Sequence, residues 1–246
     1  MGVLALLSLC AGVAGAQTAA RPVHPDLDGV WIVHLGAAAA GQPDPGPMPL
    51  APLDGKGVPF QPWSLALAKG SKAQAGTAAS WPGNNQRCLV AGTLRSMRGN
   101  YPWRLIETPE QVTILFEEDG RIAIFPFRKQ HAKHVVPTWS GDPIAHWDGD
   151  TLVVDTIGFN GKTPLPFGIQ ITRNMHMIDH FHLLPNGQLE DRTWISDSGA
   201  FTRPFEVSST FDRWSDTYKL ADYRCAENNR DFPAPLPWWG ADWGPQ

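Results

Sequence analysis

From Trp103 onward the chain is a succession of short runs rich in β-branched and aromatic residues, each ended by a turn-forming cluster. The runs are 103–108, 110–118, 121–128, 143–147, 150–157, 171–183, 188–197, 205–214 and 218–224. Glu118-Asp119-Gly120, Asp148-Gly149 and Asn186-Gly187 stand between consecutive runs, and these are the residue types that accept the left-handed backbone of tight hairpins. Hairpin following hairpin, with no helical period between them, predicts an all-β chain built on an antiparallel sheet. An up-and-down, lipocalin-like β-barrel is preferred to a sandwich because closing the sheet removes its exposed edges.

Upstream, Asp26–Leu35 reads as one more strand, and 36–102 as a Pro- and Gly-rich insert. Within the insert, 63–69 can form a short helix, which Gly70, Gly76, Pro82 and Gly83 keep from growing. Few helices are expected. The residues from 17 to 246 read as a single domain ending in an aromatic tail, 232–246, where Pro and Gly exclude a strand.

Met1–Ala16 reads as a signal peptide: an apolar stretch leads to Ala14-Gly15-Ala16, an A-x-A cleavage pattern, although no Lys or Arg precedes Arg21. The stretch is too short to span a bilayer, so the expectation is a periplasmic or secreted protein without stable membrane insertion. Cys88 and Cys225 then form an even pair in an oxidising compartment, and a disulfide between them is expected. A formal charge of −4 with scattered Lys and Arg gives no basic stripe, so nucleic acid is not an expected partner. The sequence has no G-x-S-x-G elbow, H-E-x-x-H, Walker loop or G-x-G-x-x-G. No cofactor is therefore expected. The expected partner is a small molecule, and the oligomeric state is left open.

Eleven Trp and eleven Phe residues are spread along the chain, fitting either a core filled by large rings or an aromatic-lined cavity. Strand alternation sharpens the search, because an ionisable residue sharing parity with apolar neighbours is expected to face inward. In 175–183 the face Met175, Met177, Asp179, Phe181, Leu183 is apolar apart from Asp179. A carboxylate there has a raised pKa or a partner, which makes Asp179 the first candidate acid or base. The opposite face carries His176, His180 and His182. His180 and His182 have the spacing of zinc ligands on a strand, a weak alternative to a solvent-facing surface. In 151–157 the same test places Asp155 inward with Val153 and Ile157, although Leu152 and Val154 are equally apolar. Glu118 follows the parity of Val112, Ile114 and Phe116, and Arg128 that of Ile122 and Ile124, so the two are expected to meet across a hairpin.

Pro137-Thr-Trp-Ser-Gly-Asp142, Trp147-Asp-Gly-Asp-Thr-Leu-Val-Val-Asp-Thr-Ile-Gly-Phe-Asn160, Arg87-Cys-Leu-Val-Ala-Gly, Thr202-Arg-Pro204 and Tyr223-Arg-Cys-Ala-Glu-Asn-Asn-Arg-Asp231 together resemble the motifs of an uncharacterised family of exported bacterial proteins. The resemblance implies no activity. Where that family's pattern reads Leu-His-Val-x-Glu-Arg-Phe, this chain keeps His176 and an acid at Asp179 but has His180 in place of Arg, which weakens the metal alternative. Its polar blocks lie in loops that suit a barrel mouth, adding Trp139, Asp142, Glu118, Glu227 and Asn228 as candidate binding residues.

The leading expectation is an exported β-barrel enzyme, a lyase, isomerase or hydrolase, doing cofactor-independent acid–base chemistry on a small organic or sugar-like molecule. Asp179, His176 or Asp155 would move the proton, Arg128 would stabilise negative charge, and Trp139 would stack on the substrate. Because His176 and Asp179 have opposite parity, they share a pocket only if a bulge intervenes or one lies at the rim. The alternatives are a lipocalin-like carrier with an apolar ligand inside the barrel and a structural envelope protein with a filled core.

Overall fold

The computed structural model of the protein describes residues 24–34, 50–74, 90–163, 165 and 169–224. The expected signal peptide, the aromatic tail, Cys88, Cys225, Glu227 and Asn228 lie outside the described residues. The elements in chain order are β1 (Gly29–Val33), α1 (Pro62–Gln74), α2 (Thr93–Met97), β2 (Trp103–Glu107), β3 (Gln111–Phe116), β4 (Ile122–Pro126), β5 (Asp142–Asp148), β6 (Thr151–Ile157), β7 (His176–Leu183), β8 (Leu189–Ser196) and β9 (Phe205–Arg213).

The nine strands form one sheet in the order β4-β3-β2-β1-β9-β8-β7-β6-β5. β1 pairs with both β2 and β9, antiparallel to each, which joins the first hairpins to the last and rolls the sheet into a nearly closed up-and-down barrel. An odd ring cannot alternate direction all the way round, so one neighbouring pair has to be parallel. That pair is β4 and β5, which meet only at the parallel bridge Phe127↔Ala145. To enter β5 in the direction of β4, the chain from 127 to 141 travels back along the outside of the barrel. Two features follow: a seam between β4 and β5, and a crossover segment lying over the outer face of β5 and β6.

Alternation sorts the side chains. Val112, Ile114 and Phe116 of β3, Leu152 and Val154 of β6, and Phe181 of β7 are buried in one apolar cluster with Trp31, Trp103 and Phe211. Large rings suit this interior because each removes much apolar area from water, about 1.5–3 kcal/mol per buried side chain. Their polar edges are satisfied locally: the Trp31 indole donates to the Leu27 carbonyl at 3.1 Å, and that of Trp103 to the Met97 carbonyl at 3.2 Å. A second cluster, including Met177, Ile195, Phe201 and Phe205, fills the end of the barrel where β6 and β8 stop and β7 and β9 begin. This is called the distal end below. The proximal end is where β1 begins and β9 stops.

Three expectations need correction. The run 218–224 is not a strand but an extended strap beyond β9. It is held from outside, with Arg104 donating to the Tyr218 carbonyl at 3.0 Å and Glu117 accepting from the Tyr218 hydroxyl at 2.8 Å and the Ala221 amide at 2.9 Å. The helix expected at 63–69 continues through Gly70 to Gln74. The long run 171–183 is a strand only from His176. The hairpin chemistry matches expectation, with positive φ at Asp119, Gly120, Gly149 and Gly187.

Candidate functional site

Asp155 points outward, not inward as its parity with Val153 and Ile157 suggests. Leu152 and Val154 take the core face, and Val153 and Ile157 share the outer face with Asp155, beside the crossover. The contact is tight at Gly158 (φ 71°), where a Cβ would collide with the Val135 side chain. Further along, Thr138 bridges Phe159 in parallel. Beneath this segment, three adjacent strands present polar groups on one face. In register, Asp155 lies opposite Ile144 of β5 and Ile178 of β7. Asp142 and His176, two residues before those partners, are therefore its diagonal neighbours, within reach of long or polar side chains.

The distances show that this reach is used. His176 Nε2 is 2.8 Å from Asp155 Oδ1. His131, delivered by the crossover, places Nδ1 3.2 Å from Asp142 Oδ2 and Nε2 3.3 Å from the same Asp155 oxygen. The latter is ion-pair distance without hydrogen-bond alignment, since His131 Nε2 has no hydrogen-bond partner. The result is an alternating row, Asp142, His131, Asp155, His176, with the Trp194 ring edge-on to His176 at 5.3 Å. Such a row can store a proton and pass it between imidazole and carboxylate.

Asp155 also lines a cleft of about 750 Å³ at the β4–β5 seam, with Phe127, Arg128, Lys129, Ile144, His146, Trp147, Glu107 and His24 around it. At its proximal end the Trp147 indole donates to Glu107 Oε1 at 3.1 Å. The His24 ring stacks on Trp147 at 3.7 Å and brings Nε2 within 3.3 Å of the same carboxylate oxygen. Burial raises the Glu107 pKa above its ordinary value, and the indole hydrogen bond works against that rise. The seam explains why a cleft forms here: two strands held by a single bridge leave room that a full ladder would close.

Asp179 belongs elsewhere. It faces the barrel interior, 1% exposed, whereas His176 faces out. The unbroken register of β7 against β6 and β8 leaves no bulge to bring them together. Inside, Asp179 is joined by Asp191 of β8, whose Oδ2 accepts from the Thr193 hydroxyl at 3.1 Å. Arg98, at the end of α2, is the nearby cation for both acids. Burial first, then mutual repulsion, holds Asp179 well above the usual carboxylate range. Burial also pushes Asp191 up to about 6 against the opposing pull of Arg98.

The remaining candidates are dispersed. Glu118 lies in the β3–β4 turn at the distal end, in the field of Arg95 and Arg121. Arg128 lies past Pro126, which pairs with Gln111 at the opposite end of that hairpin, so the expected Glu118–Arg128 pair does not form. Trp139 is half-buried in a distal loop, its carbonyl accepting from Thr163 at 2.6 Å, away from the cleft lining. His180 and His182 face outward, with His180 Nδ1 3.3 Å from the Arg192 carbonyl. Among the described residues no group of three or more His, Cys, Asp or Glu is arranged to hold a metal.

Sequence reasoning missed His131, His24, Glu107, Trp147 and Asp191. Asp191 was findable, since it shares parity with Leu189, Thr193 and Ile195. His131 carried no signal, because it sits in an aperiodic segment and acquires meaning only when the crossover lands on β6. No protein-family model matches the chain, and no curated protein matches it. The class that fold and site define is a nine-stranded up-and-down barrel with a His–Asp row on its outer wall beside an open seam.

Proposed function

We propose that this protein is an acid–base enzyme acting on a small organic molecule held in the seam cleft, without an organic cofactor and, given Met1–Ala16, outside the cytoplasm. The observation that carries this reading is that Asp155, on the cleft wall, shares one carboxylate oxygen with the imidazole of His176 at 2.8 Å and has His131 at 3.3 Å from it. Asp155 exchanges a proton with the bound molecule, and the imidazoles behind it accept or return that proton. Arg128, on the same cleft, balances negative charge that develops as the proton leaves. A lyase or an isomerase uses this arrangement directly, and a hydrolase uses it to activate water.

A carrier is the second reading, favoured by the apolar lining from Pro109, Phe127, Ile144 and Ala145. The two are separated by recovering small molecules retained by the purified protein, identifying them by mass spectrometry, and following each in deuterated water. The enzyme reading expects protein-dependent deuterium incorporation or turnover that falls by roughly 10²-fold or more in Asp155→Asn, with binding changed only a few-fold. Tight binding by the wild-type protein with neither exchange nor turnover establishes the carrier.

A further inference from the structure

The cleft's charges are unevenly paired. Glu107 is engaged by Trp147 and His24, and Asp155 by His176 and His131. Both carboxylates of the lining therefore already have partners. The cations do not: Arg128 and Lys129 leave β4 side by side, exposed, and among the described residues neither has an ion-pair or hydrogen-bond partner. His146, exposed on the outer face of β5, lines the same cleft. Between these groups the surface is apolar, from Pro109, Phe127, Ile144 and Ala145.

We infer that the cleft selects a small organic carboxylate, its anionic group held by Arg128 and Lys129 and its hydrocarbon body laid along Phe127 and Ile144 towards Asp155. Three considerations converge on this class. An unpaired guanidinium offers parallel N–H groups matched to a carboxylate, and a neighbouring ammonium adds charge without geometric demand. The apolar strip makes the bare ion a poor fit and a ligand with a compact hydrocarbon body a good one. A volume of about 750 Å³ lies in the range of small-molecule sites, about 300–1,000 Å³. The inference deepens the acid–base reading of the same cleft and rests on it only for what happens after binding.

The test is binding of acetate, benzoate and phenylacetate, their methyl esters, and inorganic phosphate to the full chain, followed by amide NMR shifts and Trp fluorescence. The expected result is saturable binding of benzoate or phenylacetate with shifts at Phe127, Ile144 and Trp147. The matching ester should bind at least tenfold more weakly, and added salt should weaken the acid further. Arg128→Gln with Lys129→Gln should reduce carboxylate affinity at least tenfold while leaving the spectrum elsewhere unchanged. Asp155→Asn should leave affinity unchanged or improve it, because it removes a negative charge. Equal binding of acid and ester, affinity unmoved by the double substitution, or no carboxylate binding at all overturns the inference, and phosphate binding more tightly than every organic acid overturns the carboxylate assignment. Carboxylate binding without turnover leaves this inference standing and removes the enzyme reading, so the two fail separately.

Discussion

Asp179 and Asp191 lie diagonally across β7 and β8 inside the barrel, Asp179 opposite Thr193 and Asp191 opposite Phe181, with the buried Arg98 as the cation near both. Arg98 acts on both acids through its field rather than a direct hydrogen bond, leaving Asp179 Oδ1 and Asp191 Oδ1 buried without hydrogen-bond partners, and the cost of burying charge favours the protonated form of each acid.

This pair makes stability depend on pH in a defined direction. Its carboxyl pKa values are raised in the folded protein, that of Asp191 from 3.8 to about 6 and that of Asp179 well above 3.8. Between those limits the folded state holds more protons than the unfolded chain, so unfolding free energy decreases as pH rises. Their contribution is most favourable below about pH 4 and falls through pH 4–6 by on the order of 3 kcal/mol for the Asp191 shift alone, with ionisation of Asp179 lowering it further. Urea denaturation across pH 4–9 checks the slope. Asp179→Asn should flatten it and raise stability at pH 8 by about 1–3 kcal/mol, and a variant as pH-dependent as the wild type would contradict the assignment.

The crossover is predicted to depend on Gly158. Its φ of 71° and the Val135 side chain in the place a Cβ would take both oppose a side chain. Gly158→Ala should cost about 1–2 kcal/mol from left-handed backbone strain alone and lift the segment that carries His131. NOE contacts between the His131 ring and the Asp142 and Asp155 side chains should be lost, whereas Gly149→Ala, with nothing within 4 Å of its Cβ, tests the backbone cost by itself.

Glu117 anchors the C-terminal strap through the Tyr218 hydroxyl and the Ala221 amide, at 2.8 and 2.9 Å. Removing a buried acceptor leaves its donors to find water, about 1–3 kcal/mol. Glu117→Ala is expected to free residues 214–224 to proteolysis at concentrations where the barrel stays intact. Tyr218→Phe, which retains the Ala221 bond, should give an intermediate rate.

At the proximal end of the cleft, Trp147→Phe removes the indole hydrogen bond that favours ionised Glu107. The Glu107 pKa, already raised by burial, should rise further, as read by carboxyl carbon chemical shifts. A fall would mean that water replaces the indole more effectively than the geometry implies.

The sheet was legible because its signals are local: hairpin residues at Asp119-Gly120, Gly149 and Gly187, and the alternation of Val112, Ile114 and Phe116, each act within a few residues. The inward placement of Asp179 was legible for the same reason, because only one face of 175–183 is apolar. Asp155 was misplaced because β6 is apolar on both faces, and parity cannot choose between two such faces. The extra strand expected at 218–224 failed on a related point. Its residues suit an extended chain, but the ladder position that would make it a strand is already taken, since β1 closes on β9.

The sequence by itself determined the strands, their hairpins and the burial of one acid, through propensity and alternation acting at short range. The tertiary structure decided what those acids do. The parallel β4–β5 pair demanded by an odd ring sent residues 127–141 along the outside of the barrel, setting His131 between Asp142 and Asp155 and leaving Arg128 and Lys129 beside an unfilled seam. Closure, a contact between chain segments far apart in sequence, determines that route, and no local pattern encodes it.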